Sequence, residues 1–263
     1  MNHDTPTQHV PPVEGILKSP SDWALFLDID GTLLDMAAAP DAVVVPPELL
    51  RVLSGLVKTF GGAVALSTGR SVKDADRLFA PLQLPTCGVH GTEARLVPGG
   101  DVVTLVASPP ERLLEEVTRI ASVNPGVLVE PKGVGIAVHY RNAPEARPQL
   151  ERDLKRLLAD AQFEAYRLYP GRMILEVLPH GYSKGTALNW LMTLAPFKGR
   201  RPIMIGDDAG DESAIAAAER HGGIGLKVTG EHFSASQGDF DSIPQVRLWL
   251  AALAEPLVSA TGS

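Results

Sequence analysis

The sequence has few of the features that mark secreted, zinc-thiolate or membrane proteins. It contains one cysteine, Cys87, among 263 residues. A single thiol excludes an intramolecular disulfide and a cysteine-rich zinc site. Residues 1–20 have neither the basic start nor the apolar stretch of a signal peptide. No apolar run reaches the roughly 20 residues that span a bilayer. We therefore expect a cytoplasmic protein with no membrane partner.

Basic residues are outnumbered by acidic ones. Lys and Arg number 24 and Asp and Glu 31, which gives a formal net charge of −7. This balance argues against nucleic acid and anionic membranes as partners, because proteins that bind them carry basic patches. It does not exclude an anionic small molecule, since a metal ion or a few local cations can reverse the field inside one cleft.

Apolar residues make up 44% of the chain, enough to bury one large core or two unequal ones. Short apolar runs, such as residues 24–27 and 63–66, lack polar alternation and are typical of strands buried on both faces of a parallel sheet. Amphipathic segments, such as the one that opens at Pro46, alternate with them. This alternation predicts an α/β fold with a doubly wound, Rossmann-like parallel sheet.

The middle of the chain interrupts that alternation. Its apolar pattern predicts a helix, two strands, a helix and two further strands, which is an α+β order. The earlier alternation returns after residue 181. We therefore predict a tail or adhering arm over residues 1–20, a core built from residues 21–107 and 181–263, and an inserted α+β domain over residues 108–180.

Three of the predicted strands end in unusual polar sequences. They are LFLDIDGT at residues 25–32, VALSTGR at 64–70 and IMIGDDAGDE at 203–212. Residues that carry chemistry in open α/β sheets lie just beyond the carboxyl ends of the strands. If these strands are parallel neighbours, five carboxylates meet at one edge, namely those of Asp28, Asp30, Asp207, Asp208 and Asp211.

Such a group of carboxylates cannot all ionise without compensation. Oxygen ligands in excess over nearby cations indicate a divalent metal ion, and Mg²⁺ is the preferred candidate. Together with helix N-termini and a lysine, such a site suits a phosphate group. A single Asp at a strand end is usually a turn or N-cap residue, but the two Asp-rich motifs in this order argue against that interpretation for the whole set.

Four short motifs carry a resemblance to a known superfamily. They are Asp28-Ile29-Asp30-Gly31-Thr32-Leu33, Thr68 before Gly69-Arg70, Lys184, and Asp207-Asp208 with Asp211. In this order they resemble the haloacid-dehalogenase (HAD) superfamily of phosphatases. The insert falls between the second and third motifs, where that superfamily places its larger type of cap. The resemblance therefore implies a HAD-like core with an inserted α+β cap.

Segments between these motifs narrow the resemblance. They are GVHGTEAR from residue 88, EPKG from 130, AVHYR from 137, EV from 176 and GYSKG from 181. They are similar to the trehalose-6-phosphate phosphatase family within that superfamily. Gly210 departs from the family, which usually has Thr at this position. The change removes a hydroxyl but no metal ligand, so it concerns local packing rather than the chemistry.

The resemblance implies hydrolysis of a phosphorylated disaccharide through an aspartyl-phosphate. Asp28 would be the nucleophile, because an ionised carboxylate attacks phosphorus once the phosphate charge is neutralised. Asp30 would protonate the leaving sugar oxygen and then act as the base for the attacking water. Thr68 would donate a hydrogen bond to the phosphoryl group, and Lys184 would supply a positive charge beside it.

The resemblance also implies the ligands of the metal ion. Mg²⁺ would be held by Asp28, by the backbone carbonyl of Asp30 and by Asp207. Asp208 or Asp211 would act directly or through water, and the sequence leaves this choice open.

Substrate specificity is expected to come mainly from the cap. Charged residues within strand-like segments suit contacts with sugar hydroxyls, although each could also be an exposed strand residue or part of a surface ion pair. The leading candidates are Glu130, Lys132 and Glu176. The other candidates for substrate binding are Arg70, His90, Glu93, Arg95, His139 and Arg141.

Two other functions remain open at this point. The first is a phosphatase of the same chemistry that acts on another sugar phosphate, such as sucrose phosphate, mannosyl-phosphoglycerate or a hexose phosphate. The second is a non-catalytic sugar-phosphate sensor or a partner subunit of a synthase. The resemblance also implies a functional link to trehalose-6-phosphate synthase.

Overall fold

The computed structural model describes residues 10–35, 43–171 and 173–254. The strands are β1 Trp23–Leu27, β2 Val64–Ser67, β3 Thr86–Gly88, β4 Glu93–Arg95, β5 Val103–Thr104, β6 Leu128–Pro131, β7 Ile136–His139, β8 Tyr166–Gly171, β9 Ile174–Pro179, β10 Arg201–Gly206 and β11 Ile224–Lys227. The helices are α1 Val13–Leu17, α2 Pro47–Thr59, α3 Val72–Phe79, α4 Glu111–Ser122, α5 Arg147–Leu158, α6 Lys184–Leu191, α7 Glu212–Arg220 and α8 Ile243–Ala254.

The larger sheet has the strand order β11-β10-β1-β2-β3-β4-β5, and its first five strands are parallel. Successive side chains point to opposite faces of a strand. Leu25 and Leu27 therefore join a core with α2, α3 and α8, whereas Phe26 packs on the opposite face with α6 and α7. Helices cover both faces, so the predicted doubly wound α/β fold is confirmed. Burying each such Leu or Phe stabilises the fold by roughly 1.5–3 kcal/mol.

One edge of the larger sheet departs from the parallel arrangement. β4 and β5 are antiparallel to their neighbours and extend the sheet beyond β3. β4 consists of Glu93, Ala94 and Arg95. Because two of these three residues are charged, the strand has no apolar run that would predict it. Because a tight turn at residues 89–92 reverses the chain, β4 can pair directly with β3 without a crossover helix.

The predicted N-terminal arm adheres to the core where the structure describes it. Ile16 of α1 is buried among the residues that pack against α8. The Nε1 atom of Trp249 donates a hydrogen bond to the carbonyl of Pro11 at 3.2 Å. Residues 1–9 of the predicted arm and residues 255–263 of the predicted core lie outside the described residues.

The smaller sheet has the order β6-β7-β9-β8 and is antiparallel throughout. One face packs on α4 and α5 through a separate apolar core that includes Val138 and Val177. The opposite face carries Glu130, Ala137 and Glu176 side by side in the strand register. This α+β unit follows the predicted element order, and we call it the cap below.

Two connections join the cap to the larger sheet, one between Thr104 and Glu111 and one between Pro179 and Lys184. The predicted boundaries at residues 107/108 and 180/181 fall in these connections. The Tyr182 hydroxyl donates a hydrogen bond to the carbonyl of Leu105 at 3.2 Å, so the two connections touch. In the parts of the chain that the structure describes, no helix has the length and apolarity needed to cross a membrane.

Candidate active site

Asp28 lies directly after the central strand β1 and is 4% exposed. Its Oδ1 atom accepts a hydrogen bond from Lys184 Nζ at 2.7 Å. Lys184 is the first residue of α6, which begins at a capping box formed by Ser183 and Thr186. The capping box fixes the start of the helix. The first turn of α6 therefore brings the lysine to Asp28.

The loop after β10 closes around a second carboxylate, that of Asp211. The Oδ1 atom of Asp211 accepts a hydrogen bond from Lys184 Nζ at 2.7 Å. Its Oδ2 atom accepts hydrogen bonds from the backbone N–H groups of Asp207 and Asp208, each at 3.1 Å. Gly206 is required here, because an added Cβ would lie 2.3 Å from Asp211 Cγ. Asp211 is therefore fully buried and firmly held.

Burial and crowding raise the pKa values of three of these carboxyl groups. Burial raises the pKa of Asp28 to about 8, with further repulsion from Asp207 and Asp208 and an opposing effect of Lys184. Burial also raises the pKa of Asp207 to about 7, helped by the charge of Asp211. Burial raises the pKa of Asp211 well above its usual range. The single Lys184 thus leaves an excess of negative charge that a bound cation would neutralise.

Three of these residues fit a divalent metal ion. Asp28, Asp207 and Asp211 each offer one carboxylate oxygen, and these oxygens lie within 4.8 Å of one another. Carboxylate oxygens are the ligands that Mg²⁺ and Ca²⁺ prefer. Asp208 lies outside this group, and its Oδ1 atom accepts a hydrogen bond from the Asp211 N–H at 3.2 Å. The sequence left the choice between Asp208 and Asp211 open, and of the two only Asp211 belongs to this group of oxygens.

Thr32 belongs to the site, although the sequence analysis gave it no role. Its Oγ1 atom donates a hydrogen bond to Asp207 Oδ1 at 3.2 Å. Gly31 supports the same carboxylate, because its φ of +92° and missing side chain leave room for Asp207. The Asp-Gly-Thr sequence after the buried strand was the available signal. The Thr32 hydroxyl in this sequence holds Asp207, which only the structure shows.

Thr68 and Arg70 lie after β2, next to the loop that carries Asp30. The Thr68 Oγ1 atom accepts a hydrogen bond from the Arg70 N–H at 3.0 Å. Arg70 donates from Nε and Nη2 to the two carboxylate oxygens of Asp30, at 2.6 and 2.7 Å. This paired geometry gives both strength and orientation. The structure thus brings Asp30 and Arg70 together, a contact that no local sequence pattern indicates.

Glu176, Lys132 and His90 meet where the cap faces the core. Oε2 of Glu176 lies 2.7 Å from His90 Nε2, and its Oε1 atom accepts a hydrogen bond from Lys132 Nζ at 3.3 Å. Burial opposes ionisation of this carboxyl, yet His90 and Lys132 more than offset it and lower the pKa of Glu176 to about 2. A carboxylate whose ionised form is favoured therefore lies at the boundary between cap and core.

Glu130, His139 and Arg141 lie on or beside the same face of the cap sheet. Glu130 is 54% exposed, and its Oε2 atom lies 2.8 Å from His139 Nε2. Arg141 is exposed just after β7. Glu130 and Arg141 are exposed and His139 is partly exposed, unlike Glu176.

Arg95 lies apart from the other candidates, whereas Glu93 pairs with Gly88 and stays near Arg70. Glu93 accepts a hydrogen bond from the Val72 N–H at the start of α3. Arg95 pairs with Thr86 at the opposite end of β3 and is 2% exposed. Its guanidinium donates to Asp76 and to the carbonyl of Leu84. The antiparallel direction of β4 carries Arg95 away from the candidate active site, so we assign it a packing role and leave it out of the site.

Comparison with known proteins gives a consistent result. The sequence model of the family described as trehalose-phosphatase matches residues 26–245. A protein of Sinorhizobium fredii named "Probable trehalose-phosphate phosphatase" is 41% identical over 235 residues, which cover 89% of this chain and 88% of the relative. The trehalose-6-phosphate phosphatase of Escherichia coli K12 is 34% identical over 239 residues, with coverage of 89% and 88%.

A solved structure shares the fold. The C-terminal domain of the Candida albicans trehalose-6-phosphate phosphatase superimposes with a TM-score of 0.81. The alignment covers 97% of this chain and 99% of that domain, at 20% sequence identity. Trehalose-phosphatases hydrolyse phosphoric monoesters. The three grouped carboxylates fit a divalent metal ion. The chain belongs to the trehalose-phosphatase family.

Proposed function

We propose that this chain hydrolyses trehalose 6-phosphate to trehalose and phosphate with Mg²⁺ and an aspartyl-phosphate intermediate. The observation that carries the proposal is the buried Asp28 carboxylate held at 2.7 Å by Lys184 beside two further carboxylates. A nucleophile in this position needs one free oxygen and a nearby positive charge, and this arrangement supplies both. Family membership supports the choice of substrate.

In the proposed mechanism, the free oxygen of Asp28 attacks phosphorus while Lys184 holds its other oxygen. Thr68 binds the phosphoryl group. Asp30 gives a proton to the sugar oxygen as the P–O bond breaks, and later removes one from the water that hydrolyses the aspartyl-phosphate. Arg70 orients this carboxylate but bonds both of its oxygens here, so the acid step requires that one of these hydrogen bonds be released to the sugar oxygen.

Asp28, Asp207 and Asp211 would hold Mg²⁺, with the Asp30 carbonyl as a further ligand. When bound, the ion neutralises negative charge on the transferring phosphoryl group and on the carboxylates around it. Asp208 would hold the loop through its hydrogen bond with the Asp211 N–H. Thr32 would keep Asp207 in the orientation that a metal ligand requires.

The cap would select the disaccharide. Glu176 and Lys132 face the core, and Glu130 with His139 lies on the same face of the cap sheet. Charged groups of both signs there can bond several sugar hydroxyls at once. The exposed Arg141 completes the proposed set. Removal of such a residue should raise KM for the sugar phosphate and leave attack by Asp28 intact.

The test is a phosphate-release assay on trehalose 6-phosphate, sucrose 6-phosphate and glucose 6-phosphate, with Mg²⁺ and with a chelator. We expect the fastest release from trehalose 6-phosphate, its loss in chelator, and a fall of about a thousandfold or more in Asp28→Asn. His221→Asn is the control, because the exposed His221 follows the C-terminal end of α7, whereas Asp211 precedes the first residue of that helix.

Two results would overturn parts of this proposal. Release from trehalose 6-phosphate no faster than from glucose 6-phosphate would indicate another sugar phosphate as the substrate. No release from any ester, with Mg²⁺ present, would favour a non-catalytic sensor. The link to trehalose-6-phosphate synthase and the cytoplasmic location stay predictions, which co-purification and cell fractionation can test.

A further inference from the structure

Two consecutive residues that are not glycine have left-handed backbone angles. Val89 has a φ of 44° and His90 a φ of 52°. Such angles are unfavourable for side chains with a Cβ, most of all for β-branched Val. Two hydrogen bonds hold this conformation, from the Val89 N–H to the Arg70 carbonyl at 2.9 Å and from the His90 N–H to the Thr68 carbonyl at 3.1 Å. Strain of this kind persists only where the surroundings enforce it, and it points to a function.

Both strained residues contact the cap. Val89 is fully buried against Val134 and Leu178 of the cap. The His90 imidazole reaches Glu176, which is 86 positions away along the chain. The strained pair therefore forms part of the contact between core and cap. Val89 makes an apolar contact, and His90 contacts the Glu176 carboxylate.

The His90 ring also lies against the loops after β2 and β10. A Cβ added to Gly69 would lie 2.8 Å from His90 Nε2 and 2.9 Å from Cε1, which is too close. A Cβ added to Gly210 would lie 3.5 Å from His90 Nδ1. The ring thus occupies the space between the two loops and is held in place on the core side.

We propose that His90 is a positioning residue that fixes Glu176 over the active site when the cap is docked. The inference rests on the proposed function and deepens it. His90 acts through Glu176 and not on phosphorus, so it sets the preference for the sugar. Because the imidazole is held by the catalytic loops, Glu176 takes up its binding orientation only with the cap against the core.

The first test compares trehalose 6-phosphate with p-nitrophenyl phosphate, an ester without a sugar. In the full chain, His90→Asn should lower kcat/KM for trehalose 6-phosphate by roughly 10- to 100-fold, as expected for a lost hydrogen bond to a charged group. The loss on p-nitrophenyl phosphate should be clearly smaller, because that ester has no sugar for Glu176 to bind. Glu176→Gln should show the same selective loss of kcat/KM for trehalose 6-phosphate. The double variant should lose little more of this kcat/KM than either single variant.

The controls separate positioning from folding. His90→Gly removes the imidazole and relieves the positive φ, so it should fold at least as well as wild type and yet show the same loss on the disaccharide. His221→Asn removes an exposed histidine whose Nε2 lies 3.0 Å from Asn189 Oδ1, beyond the C-terminal end of α7, and should change the activity on neither ester.

Three results would overturn the inference. They are unchanged activity of His90→Asn on trehalose 6-phosphate, equal losses on both esters, and fully additive losses with Glu176→Gln. If the wild type itself does not prefer trehalose 6-phosphate, the proposed function fails separately. The coupling of His90 and Glu176 is then measured by urea unfolding of the same four proteins, where additive changes in the free energy of unfolding would disprove the link.

Discussion

Arg70 makes two hydrogen bonds to the carboxylate of Asp30, at 2.6 and 2.7 Å, across the cleft edge of the parallel sheet. The two side chains are partly buried, with 12% and 30% exposure. A guanidinium matches a carboxylate through two parallel hydrogen bonds, which a lysine ammonium cannot reproduce. This pair fixes the carboxylate that we propose as the general acid and base.

We expect Arg70→Lys to reduce kcat more than KM, because it keeps the charge and loses the paired geometry. General acid–base catalysis contributes about 10²–10⁴-fold, so the loss should fall within that range and not exceed the loss in Asp30→Asn. Steady-state kinetics on trehalose 6-phosphate provides the measurement. A wild-type kcat in Arg70→Lys would show that the orientation of Asp30 does not depend on this pair.

The raised carboxylate pKa values predict an unusual pH dependence of stability in the metal-free protein. An unfolded Asp has a pKa of 3.8, whereas folding raises the pKa of Asp28 to about 8 and that of Asp207 to about 7. Between these values the folded state binds more protons than the unfolded state. The free energy of unfolding should therefore fall as pH rises through this window.

Mg²⁺ should flatten this dependence, because the ion takes the place of the protons. Urea unfolding with a chelator and with Mg²⁺, across the window between about pH 4 and 8, tests it. Asp28→Asn is the matched variant and should have a smaller slope in chelator. The lowered pKa of Glu176, about 2, acts mainly below pH 4.5 and overlaps only the acid end of this window. A metal-free stability that rises with pH would contradict the prediction.

Lys184 should be essential for stability as well as for activity. It is 3% exposed and contacts Asp28 and Asp211, which are also buried. Removal of one partner of a buried ion pair costs about 3–5 kcal/mol, because the remaining charge is left uncompensated. Lys184→Met should therefore lower the free energy of unfolding by that amount. Combining it with Asp211→Asn should restore part of the stability but none of the activity, as measured by urea unfolding and phosphate release.

We expect Gly69→Ala and Gly210→Ala to differ sharply in their effect on the hydrolysis of trehalose 6-phosphate. A Cβ at Gly69 would collide with the His90 ring, at 2.8 and 2.9 Å. We expect Gly69→Ala to displace the ring from Glu176 and to imitate the substrate preference of His90→Asn.

At Gly210 the nearest atoms are Asp208 Oδ1 at 3.1 Å and His90 Nδ1 at 3.5 Å, so small shifts accommodate a methyl group. Gly210→Ala should keep most of the activity on both esters. Equal effects of the two alanine substitutions would contradict this ranking.

Much of the fold could be predicted, because buried strands and helices have recognisable patterns of apolar residues. Strands buried on both faces need uninterrupted apolar residues, and β1, β2 and β10 follow that rule. The insert was predictable from its change of pattern. β4 was not predictable, because it is three residues long, carries two charges and is stabilised by its position beside β3.

The placement of Asp28, Thr68 and Asp207 at one edge could be predicted, because each follows a strand and β1, β2 and β10 are parallel neighbours. Lys184 follows no strand of this sheet and reaches Asp28 from the first turn of α6. The partners of the charged side chains were decided by tertiary structure. Arg95 is buried at the opposite end of β3, and His90 meets Glu176 from another sheet. Each pairing depends on how two distant elements are oriented in space. A local pattern of residues records burial and periodicity, but it holds no information about that orientation.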